Sequence, residues 1–173
     1  MFGDPEYFDI DQKKTFGLWP HDQAISVGMN PYIRRMKHDK IAMLVIGDLR
    51  GEYINDFLTE NDKIVKVNVV NIYNEDTEIL KDVYKKNTDK FKGKIDLGIS
   101  KDKHRDIVCV DVSACTVENL ELYYNNVKSG GIFCGNGHDK QSTKDVLTEF
   151  RRKVKIGTPI LVCYKTIWFW YVR

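Results

Sequence analysis

The chain has 173 residues, the size of one domain, and 42% of them are hydrophobic while 30% are charged. Lys and Arg number 27 against 25 Asp and Glu, so the formal net charge of +2 is too small to predict nucleic-acid binding by itself. The longest apolar runs have the length of β-strands, well short of the roughly 20 residues that a membrane-spanning helix needs. The acidic, polar opening MFGDPEYFDIDQKK does not predict a secretory signal.

The four cysteines do not form a C-x-x-C pair. Cys109, Cys134 and Cys163 fall inside apolar, strand-like runs. This pattern predicts buried thiols in a reducing cytosol rather than a disulfide framework or a zinc site. We therefore expect a cytoplasmic protein without a membrane partner.

The first 40 residues predict a loop and then a helix from about Asp22, as an extension to a core from residue 41 to residue 173. Within this core, short apolar runs bounded by turn residues predict β-strands. In chain order they are Ala42–Gly47, Ile64–Val70, Ile95–Ile99, Ile107–Val112, Gly131–Gly135, Ile160–Lys165 and Ile167–Val172.

Three segments between these strands have helical patterns. Residues 74–87 open with acids and close with lysines, which matches the helix dipole. A second helix is predicted after Thr116, whose side chain can cap it, and a third begins with Ser142 or Thr143 as its cap. Alternating strands and helices predict a single α/β domain with a Rossmann-like parallel sheet, helices on both faces and a C-terminal antiparallel hairpin at the end of the sheet.

The loop after the first core strand reads Gly47-Asp48-Leu49-Arg50-Gly51. Ligands of open parallel sheets bind beyond the carboxyl ends of the strands, where glycine lets backbone N–H groups approach without a Cβ. The loop lacks G-x-G-x-x-G and G-K-[ST], which argues against a dinucleotide and against a P-loop. By itself it is compatible with a cofactor site or with a simple turn.

The second half of the core contains a series of short motifs in a characteristic order: VDVSACT, VKSGGIF, GNGHD, STKDVLTEF and IWFWYVR. In this order they resemble the class I S-adenosylmethionine-dependent methyltransferases, and most closely the small branch with sugar- and antibiotic-modifying O-methyltransferases. The resemblance covers roughly residues 41–173, and the KSGG corner is its most specific part. It implies S-adenosyl-L-methionine as the cofactor.

The resemblance also implies roles for particular residues. The glycine loop would hold the methionine part of the cofactor, one of two asparagines the ribose, and the loop after the third core strand the adenine edge. Asp111 and His138 would remove a proton from the substrate or hydrogen-bond it, and Asp111 also adjoins the cofactor. The implied cofactor-binding residues are Gly47, Asp48, Leu49, Gly51, Asn68 or Asn71, Gly98, Ser100 and Asp111.

The chain departs from the family pattern where the family has acids. Val45 stands two residues before the first glycine, an asparagine ends the second core strand, and Ser113 replaces an acid after Asp111. Asn can still hydrogen-bond a ribose hydroxyl, but without charge assistance the bond is about half as strong. Asp111 could instead cap the following helix, and His138 could be a surface residue of its loop.

The leading hypothesis is methyl transfer to a hydroxyl of a small molecule, such as a sugar. One alternative is a protein that keeps the fold as a binding or interaction module without catalysis, and another is a nucleic-acid methyltransferase. His138, Asp139 and Asp111 could supply three metal ligands, but the acid missing at position 113 argues for no metal. An exposed aromatic hairpin edge would favour a homodimer.

Overall fold

The computed structural model of the protein describes residues 7–9, 25–48, 50–70, 77–98 and 104–173, with residues 7–9 and 77–80 described by their backbone alone. The described residues contain eight strands that form one sheet. The strands are β1 (Tyr7–Asp9), β2 (Ile41–Ile46), β3 (Ile64–Val70), β4 (Ile95–Leu97), β5 (Arg105–Val110), β6 (Val127–Gly135), β7 (Ile160–Cys163) and β8 (Ile167–Tyr171).

The sheet has the strand order β1-β7-β8-β6-β5-β2-β3-β4. Strands β2 to β6 pair in parallel, whereas β8 is antiparallel to both β6 and β7. This confirms the Rossmann-like sheet with a C-terminal hairpin. The predicted place of the hairpin at the end of the sheet is wrong, because β1 pairs with the outer side of β7. The first residues therefore add a strand where the sequence predicted a loop.

Five helices cover the described sheet: α1 (Ile25–Arg35), α2 (Glu52–Glu60), α3 (Thr77–Thr88), α4 (Val117–Tyr124) and α5 (Gln141–Lys153). Apolar side chains of α1 and α2 pack on one face of the sheet, and those of α4 and α5 pack on the other. Helices on both faces are thus confirmed. Helix α2 was not among the predicted helices, because its nine residues are short for a periodic pattern.

Of the N-terminal caps predicted for α4 and α5, one is confirmed and the other is wrong. Thr116 caps α4 as predicted, since its hydroxyl accepts the backbone N–H of Asn119 at 3.2 Å. The predicted cap of α5 at Ser142 or Thr143 is wrong. The helix begins at Gln141, and Lys140 occupies the cap position without a side-chain cap bond.

Strand β8 belongs to both cores of the domain. Ile167 and Phe169 point into the core under α1 and α2, while Trp168 and Trp170 point into the core under α4 and α5. All four side chains are buried, and the two indole rings stack with centroids 5.5 Å apart. The alternating aromatic run therefore serves packing on both faces of the sheet. Trp168, Phe169 and Trp170 do not form the exposed aromatic edge that was expected to favour a homodimer.

The direction of strand addition reverses between β2 and β5. From β2 the chain adds β3 and β4 on one side, and then returns to place β5 and β6 on the other side. Such a reversal leaves a crevice between the carboxyl ends of the two central strands. In the part of the chain that the structure describes, no helix is long and apolar enough to cross a lipid bilayer.

Candidate functional site

The carboxyl ends of β2 and β5 lie side by side at this reversal point. The backbone N–H of Asp111 donates to the carbonyl oxygen of Ile46 at 2.8 Å, and Gly47 N–H donates to the carbonyl of Val70 at 2.9 Å. Three adjacent strands are therefore tied together just where they end. The structure brings Gly47 and Asp111 together, as the topology predicts.

The Asp111 carboxylate has four hydrogen-bond donors around it. Tyr53 donates its hydroxyl hydrogen to Oδ1 at 2.8 Å, and the Asn136 side-chain amide donates to the same oxygen at 3.2 Å. Oδ2 accepts the backbone N–H of Ser113 at 3.0 Å and the Ser113 hydroxyl at 2.5 Å. We call Tyr53, Asp111, Ser113 and Asn136 the Asp111 cluster.

The Asp111 cluster joins three elements at the carboxyl edge. Tyr53 lies in the first turn of α2, and Asn136 follows β6 directly. Asn136 also donates to the Tyr53 oxygen at 3.0 Å, and its own side-chain oxygen accepts the backbone N–H of Val112 at 2.6 Å. Burial raises the pKa of Tyr53, and the negative charge of Asp111 raises it further, so the phenol stays protonated and acts as a donor.

The cluster lies at the surface of the protein. Tyr53, Asp111 and Asn136 are partly exposed, and Ser113 is exposed. A hydroxyl group of a small molecule could therefore reach the Asp111 carboxylate by displacing the Ser113 or Tyr53 hydroxyl from it.

Gly47 has φ +89°, a conformation that favours glycine. A Cβ at this position would lie 3.1 Å from Asp111 Cβ and 3.2 Å from both Ala114 Cβ and Ser113 Oγ. The short turn after β5 thus packs directly against the Gly47 backbone. This close approach accounts for the first glycine of the loop without a ligand.

Asp48 is buried and accepts a hydrogen bond from a backbone N–H in the first turn of α2. It is only 3% exposed, and its carboxylate accepts the backbone N–H of Ile54 at 3.0 Å. Burial raises the pKa of Asp48 to about 7, and the negative charge of Asp111 adds to this increase. Hydrogen bonds from the backbone of Ile54, Tyr53 and Gly51 act in the opposite direction. The hydrogen bond ties the glycine loop to the start of α2, and the Asp48 carboxylate is almost closed to solvent.

Gly51, at φ +70°, precedes the first turn of α2 and lies against the end of α3. A Cβ there would lie 2.7 Å from Thr88 Cγ2 and 3.2 Å from the Tyr84 carbonyl oxygen. The neighbouring Arg50 carbonyl accepts a hydrogen bond from Asn87 at 2.8 Å. The second glycine of the loop is therefore explained by helix packing as well.

Of the two asparagines proposed for the ribose, Asn68 is used inside the protein. It is 1% exposed, its amide donates to the Gly98 carbonyl at 3.0 Å, and its oxygen accepts from the Arg105 guanidinium at 2.7 Å. Both polar groups of the side chain are thus engaged, which corrects the Asn68 alternative. Asn71 stays a prediction and lies outside the described residues, as do Leu49 and Ser100.

Gly98, proposed for the adenine edge, follows β4 at φ +84° with open space beside its α-carbon. Its backbone N–H donates to the Val69 carbonyl at 2.7 Å. It is exposed at the carboxyl edge, so its place is compatible with the predicted role, which stays a prediction.

His138 lies in the loop after β6 and is 6% exposed, so it is not the surface histidine that the sequence left open. Its backbone N–H donates to the Thr166 carbonyl at 2.9 Å, which ties the loop to the turn between β7 and β8. Burial and, secondarily, the positive charge of Lys144 lower its pKa to about 4. At neutral pH His138 is therefore uncharged and a weak base.

Two residues of the cluster were missed by sequence reasoning. Tyr53 follows the glycine loop closely, and its place in the first turn of α2 could have been recognised had the helix been predicted. Asn136 belongs to the GNGHD motif, in which the sequence pattern indicated a role for His138 and none for Asn136. Among the described residues, no group of three or more His, Cys, Asp and Glu side chains is arranged to hold a metal ion.

Solved structures similar to this one are methyltransferases and related enzymes. The O-methyltransferase from Bacillus cereus in complex with SAH has a TM-score of 0.59 at 12% identity, over 88% of this chain and 83% of that one. Precorrin-6y C5,15-methyltransferase from Geobacter metallireducens has a TM-score of 0.54 at 15% identity, over 73% and 68%.

Spermidine synthase from Thermotoga maritima has a TM-score of 0.54 at 15% identity, over 77% of this chain and 53% of that one. The chain thus spans about half the length of that enzyme. No protein-family model and no curated protein sequence matches the chain. At these identities the similarity shows the fold alone: a Rossmann-like α/β domain of the kind found in class I methyltransferases.

Proposed function

We propose that the protein is an S-adenosylmethionine-dependent methyltransferase that transfers the methyl group to a hydroxyl of a small molecule. The observation that carries this proposal is the Asp111 cluster, a partly exposed carboxylate held by neighbouring side chains at the reversal point of the sheet. Ligands of this sheet architecture bind at that place. The SAH complex of the B. cereus O-methyltransferase supports an adenosyl ligand for the fold.

The described residues fit such a cofactor in part. Tyr53, Asp111 and Ser113 offer partly exposed or exposed polar groups beside the ends of β2 and β5. Asp48 and Asn68 are engaged by the protein, so the predicted contacts of Leu49, Asn71 and Ser100 would carry more of the binding. When bound, the cofactor supplies an electrophilic methyl group.

The chain's own residues would position the acceptor and take up its proton. An acceptor hydroxyl that replaces the Ser113 hydroxyl would donate its hydrogen to the Asp111 carboxylate. Tyr53 and Asn136 would hold that carboxylate in one orientation, which is the main contribution that a protein makes to such a transfer. The lowered pKa of His138 makes it a weak base, so we assign the uptake of the proton to Asp111 rather than to His138.

Titration calorimetry with S-adenosylhomocysteine, followed by a turnover assay with labelled S-adenosylmethionine and a panel of sugars and other small hydroxyl compounds, tests this function. We expect saturable binding to the native protein and to Asp111→Asn, and a loss of turnover of about 10²-fold or more in Asp111→Asn alone. Asp82→Asn, which changes an exposed carboxylate on α3, is the matched control. Absence of binding at millimolar S-adenosylhomocysteine would refute the proposed enzymatic function.

A second function, a non-catalytic binding module, is favoured by a specific observation. The Asp111 carboxylate already has four protein donors, and Gly47 is covered by the turn after β5. Both features would follow if the crevice had been closed by the protein itself. Absence of S-adenosylhomocysteine binding both to the native protein and to Tyr53→Phe would support this module.

A further inference from the structure

A pocket lies at the edge of the sheet opposite the Asp111 cluster. It is formed where α1 ends, where β6 begins and where β8 ends, and its volume is about 240 Å³. Its lining includes Tyr32, Arg35, Lys37, His38, Gly130 and Tyr171. We call it the amino-edge pocket, because the parallel strands begin there.

The amino-edge pocket is cationic. Arg35 and Lys37 carry positive charges, His38 adds a ring N–H donor, and none of the described residues that line it is acidic. Within the described part of the chain, no carboxylate pairs with Arg35 or Lys37. Their charges are therefore available to a ligand.

The other cations near the end of α1 are engaged by the protein. The Lys63 ammonium group donates to the carbonyls of Arg34 at 3.2 Å and Met36 at 2.9 Å. Arg34 pairs with Glu60 at 3.0 Å on the α2 side. Arg35 lies in the last turn of α1, where its charge also favours the helix dipole, and within the described residues neither Arg35 nor Lys37 pairs with a carboxylate.

One wall of the pocket is aromatic. Tyr32 packs on Phe169 with ring centroids 4.6 Å apart, and Phe169 meets Tyr171 edge-on at 6.2 Å. Tyr171 is 41% exposed, so part of its ring is open to a ligand. Arg35 and Tyr171 line the same pocket, so the cation and the phenol ring face a common space. Burial raises the pKa of Tyr171, and the Arg35 guanidinium opposes this increase.

We propose that the amino-edge pocket is a second ligand site, which binds a small phosphate ester carrying an aromatic ring, such as a nucleoside monophosphate. Arg35 and Lys37 would hold the phosphate, and the ring would pack against Tyr171. The volume lies just below the roughly 300–1,000 Å³ of ordinary small-molecule sites, which favours a ligand of this small size.

The site is independent of the Asp111 cluster. β2 runs from the pocket edge to the cluster edge over six residues, which corresponds to about 20 Å. A ligand in the amino-edge pocket therefore cannot contact the Asp111 carboxylate. The inference goes beyond methyl transfer and holds whether or not the Asp111 cluster binds S-adenosylmethionine.

Titration calorimetry with uridine monophosphate tests the proposal, using the full chain and its Arg35→Gln, Lys37→Gln and Lys86→Gln variants. The first two residues are exposed, so the variants should fold, which circular dichroism checks. Lys86→Gln removes an exposed charge on α3 and is the matched control. We expect binding to the native protein, a loss of about tenfold or more in Arg35→Gln and Lys37→Gln, and no change in Lys86→Gln.

Uridine and inorganic phosphate should each bind more weakly than the monophosphate, and bound monophosphate should shift the amide resonances of Gly130 and Tyr171. The proposal is overturned by affinities that are equal in all four proteins, by phosphate alone binding as tightly as the ester, or by no binding at millimolar ligand. Binding of a short single-stranded RNA without binding of the monophosphate would overturn it too, in favour of a nucleic-acid surface. S-adenosylhomocysteine titrated into Arg35→Gln reports separately on the Asp111 cluster.

Discussion

Tyr53 and Asp111 are joined by a hydrogen bond of 2.8 Å that connects the first turn of α2 to the carboxyl end of β5. The two residues are far apart in the chain, and both are partly exposed. The bond spans the place where a ligand of this sheet architecture would bind. It either orients the carboxylate for a substrate or closes the crevice, and these roles have different experimental consequences.

Tyr53→Phe should distinguish these roles. The variant removes the hydroxyl that donates to Asp111 and accepts from Asn136, so the free energy of unfolding should fall by about 1 kcal/mol. If Tyr53 orients the carboxylate, turnover falls while S-adenosylhomocysteine affinity stays the same. If Tyr53 alone closes the crevice, the affinity rises; if the turn after β5 closes it as well, neither protein binds S-adenosylhomocysteine. Urea denaturation measures the free energy of unfolding, calorimetry the affinity, and the assay with labelled S-adenosylmethionine the turnover.

Tyr171→Phe is the control for this experiment, because it removes a partly exposed hydroxyl at the opposite edge. It should leave the free energy of unfolding, the turnover and the affinity for S-adenosylhomocysteine unchanged. An unchanged stability of Tyr53→Phe would mean that the Tyr53–Asp111 bond does not persist in solution.

Asp48 should make the stability of the protein depend on pH. Its pKa is about 7 in the folded protein against 3.8 in the unfolded chain, so the folded state binds the proton more tightly. This group should therefore lower the free energy of unfolding by up to about 4 kcal/mol as the pH rises from about 4 to 7, against the opposite contribution of His138. Asp48→Asn, which still offers an oxygen to the Ile54 N–H, should remove this contribution, so the stability of the native protein relative to the variant should decline over this pH range.

The measurement is urea denaturation at a series of pH values, with Asp82→Asn as the control for removing a carboxylate. A native protein and an Asp48→Asn variant with parallel stability curves between pH 4 and pH 8 would show that Asp48 is ionised throughout.

His138 should titrate with a midpoint near pH 4 in the folded protein. Since the unfolded chain takes up the proton from about pH 6.5 downwards, this group stabilises the fold above pH 6.5, and its contribution is lost as the pH falls towards 4. NMR of the imidazole resonances measures the midpoint. A midpoint near 6.5 would mean that the ring is open to water and could serve as a base.

A comparison of the stabilities of Gly51→Ala and Gly98→Ala should separate the cost of backbone strain from the cost of a steric clash. Both glycines have positive φ, so each substitution should cost about 1 kcal/mol from the backbone conformation. Only at Gly51 does the added methyl meet Thr88 at 2.7 Å, which should cost a further ~1–3 kcal/mol. Thermal or urea denaturation measures the difference, and equal losses would show that α3 does not pack against the loop.

The fold was predictable because it depends on patterns that are local in the chain. The strands of the core were recognised as apolar runs, and Ile64–Val70 agrees at both ends. The cap at Thr116 follows from a residue type that accepts a backbone N–H. Strand β1 was not recognised, since three residues carry too little periodicity and pair only with a strand far along the chain.

The sequence predicted where in the sheet the candidate site lies, but it predicted few of the side-chain contacts within the site. Gly47 and Asp111 were expected at the same edge, because parallel strands end together. The burial of Asp48, the engagement of Asn68 by Arg105 and the burial of His138 depend on side chains from other elements. A residue type alone does not reveal which partner it meets.

The amino-acid sequence by itself determined the succession of strands and helices, because hydrophobic periodicity and capping residues act over a few neighbouring positions. Only the tertiary structure decided what the polar residues at the carboxyl edge do. Tyr53, Asp111 and Asn136 come from distant segments, and their hydrogen bonds form only when the sheet brings the ends of β5 and β6 beside α2. The same holds for the charges of Arg35 and Lys37, which meet the ring of Tyr171 only because the last strand of the fold ends beside α1.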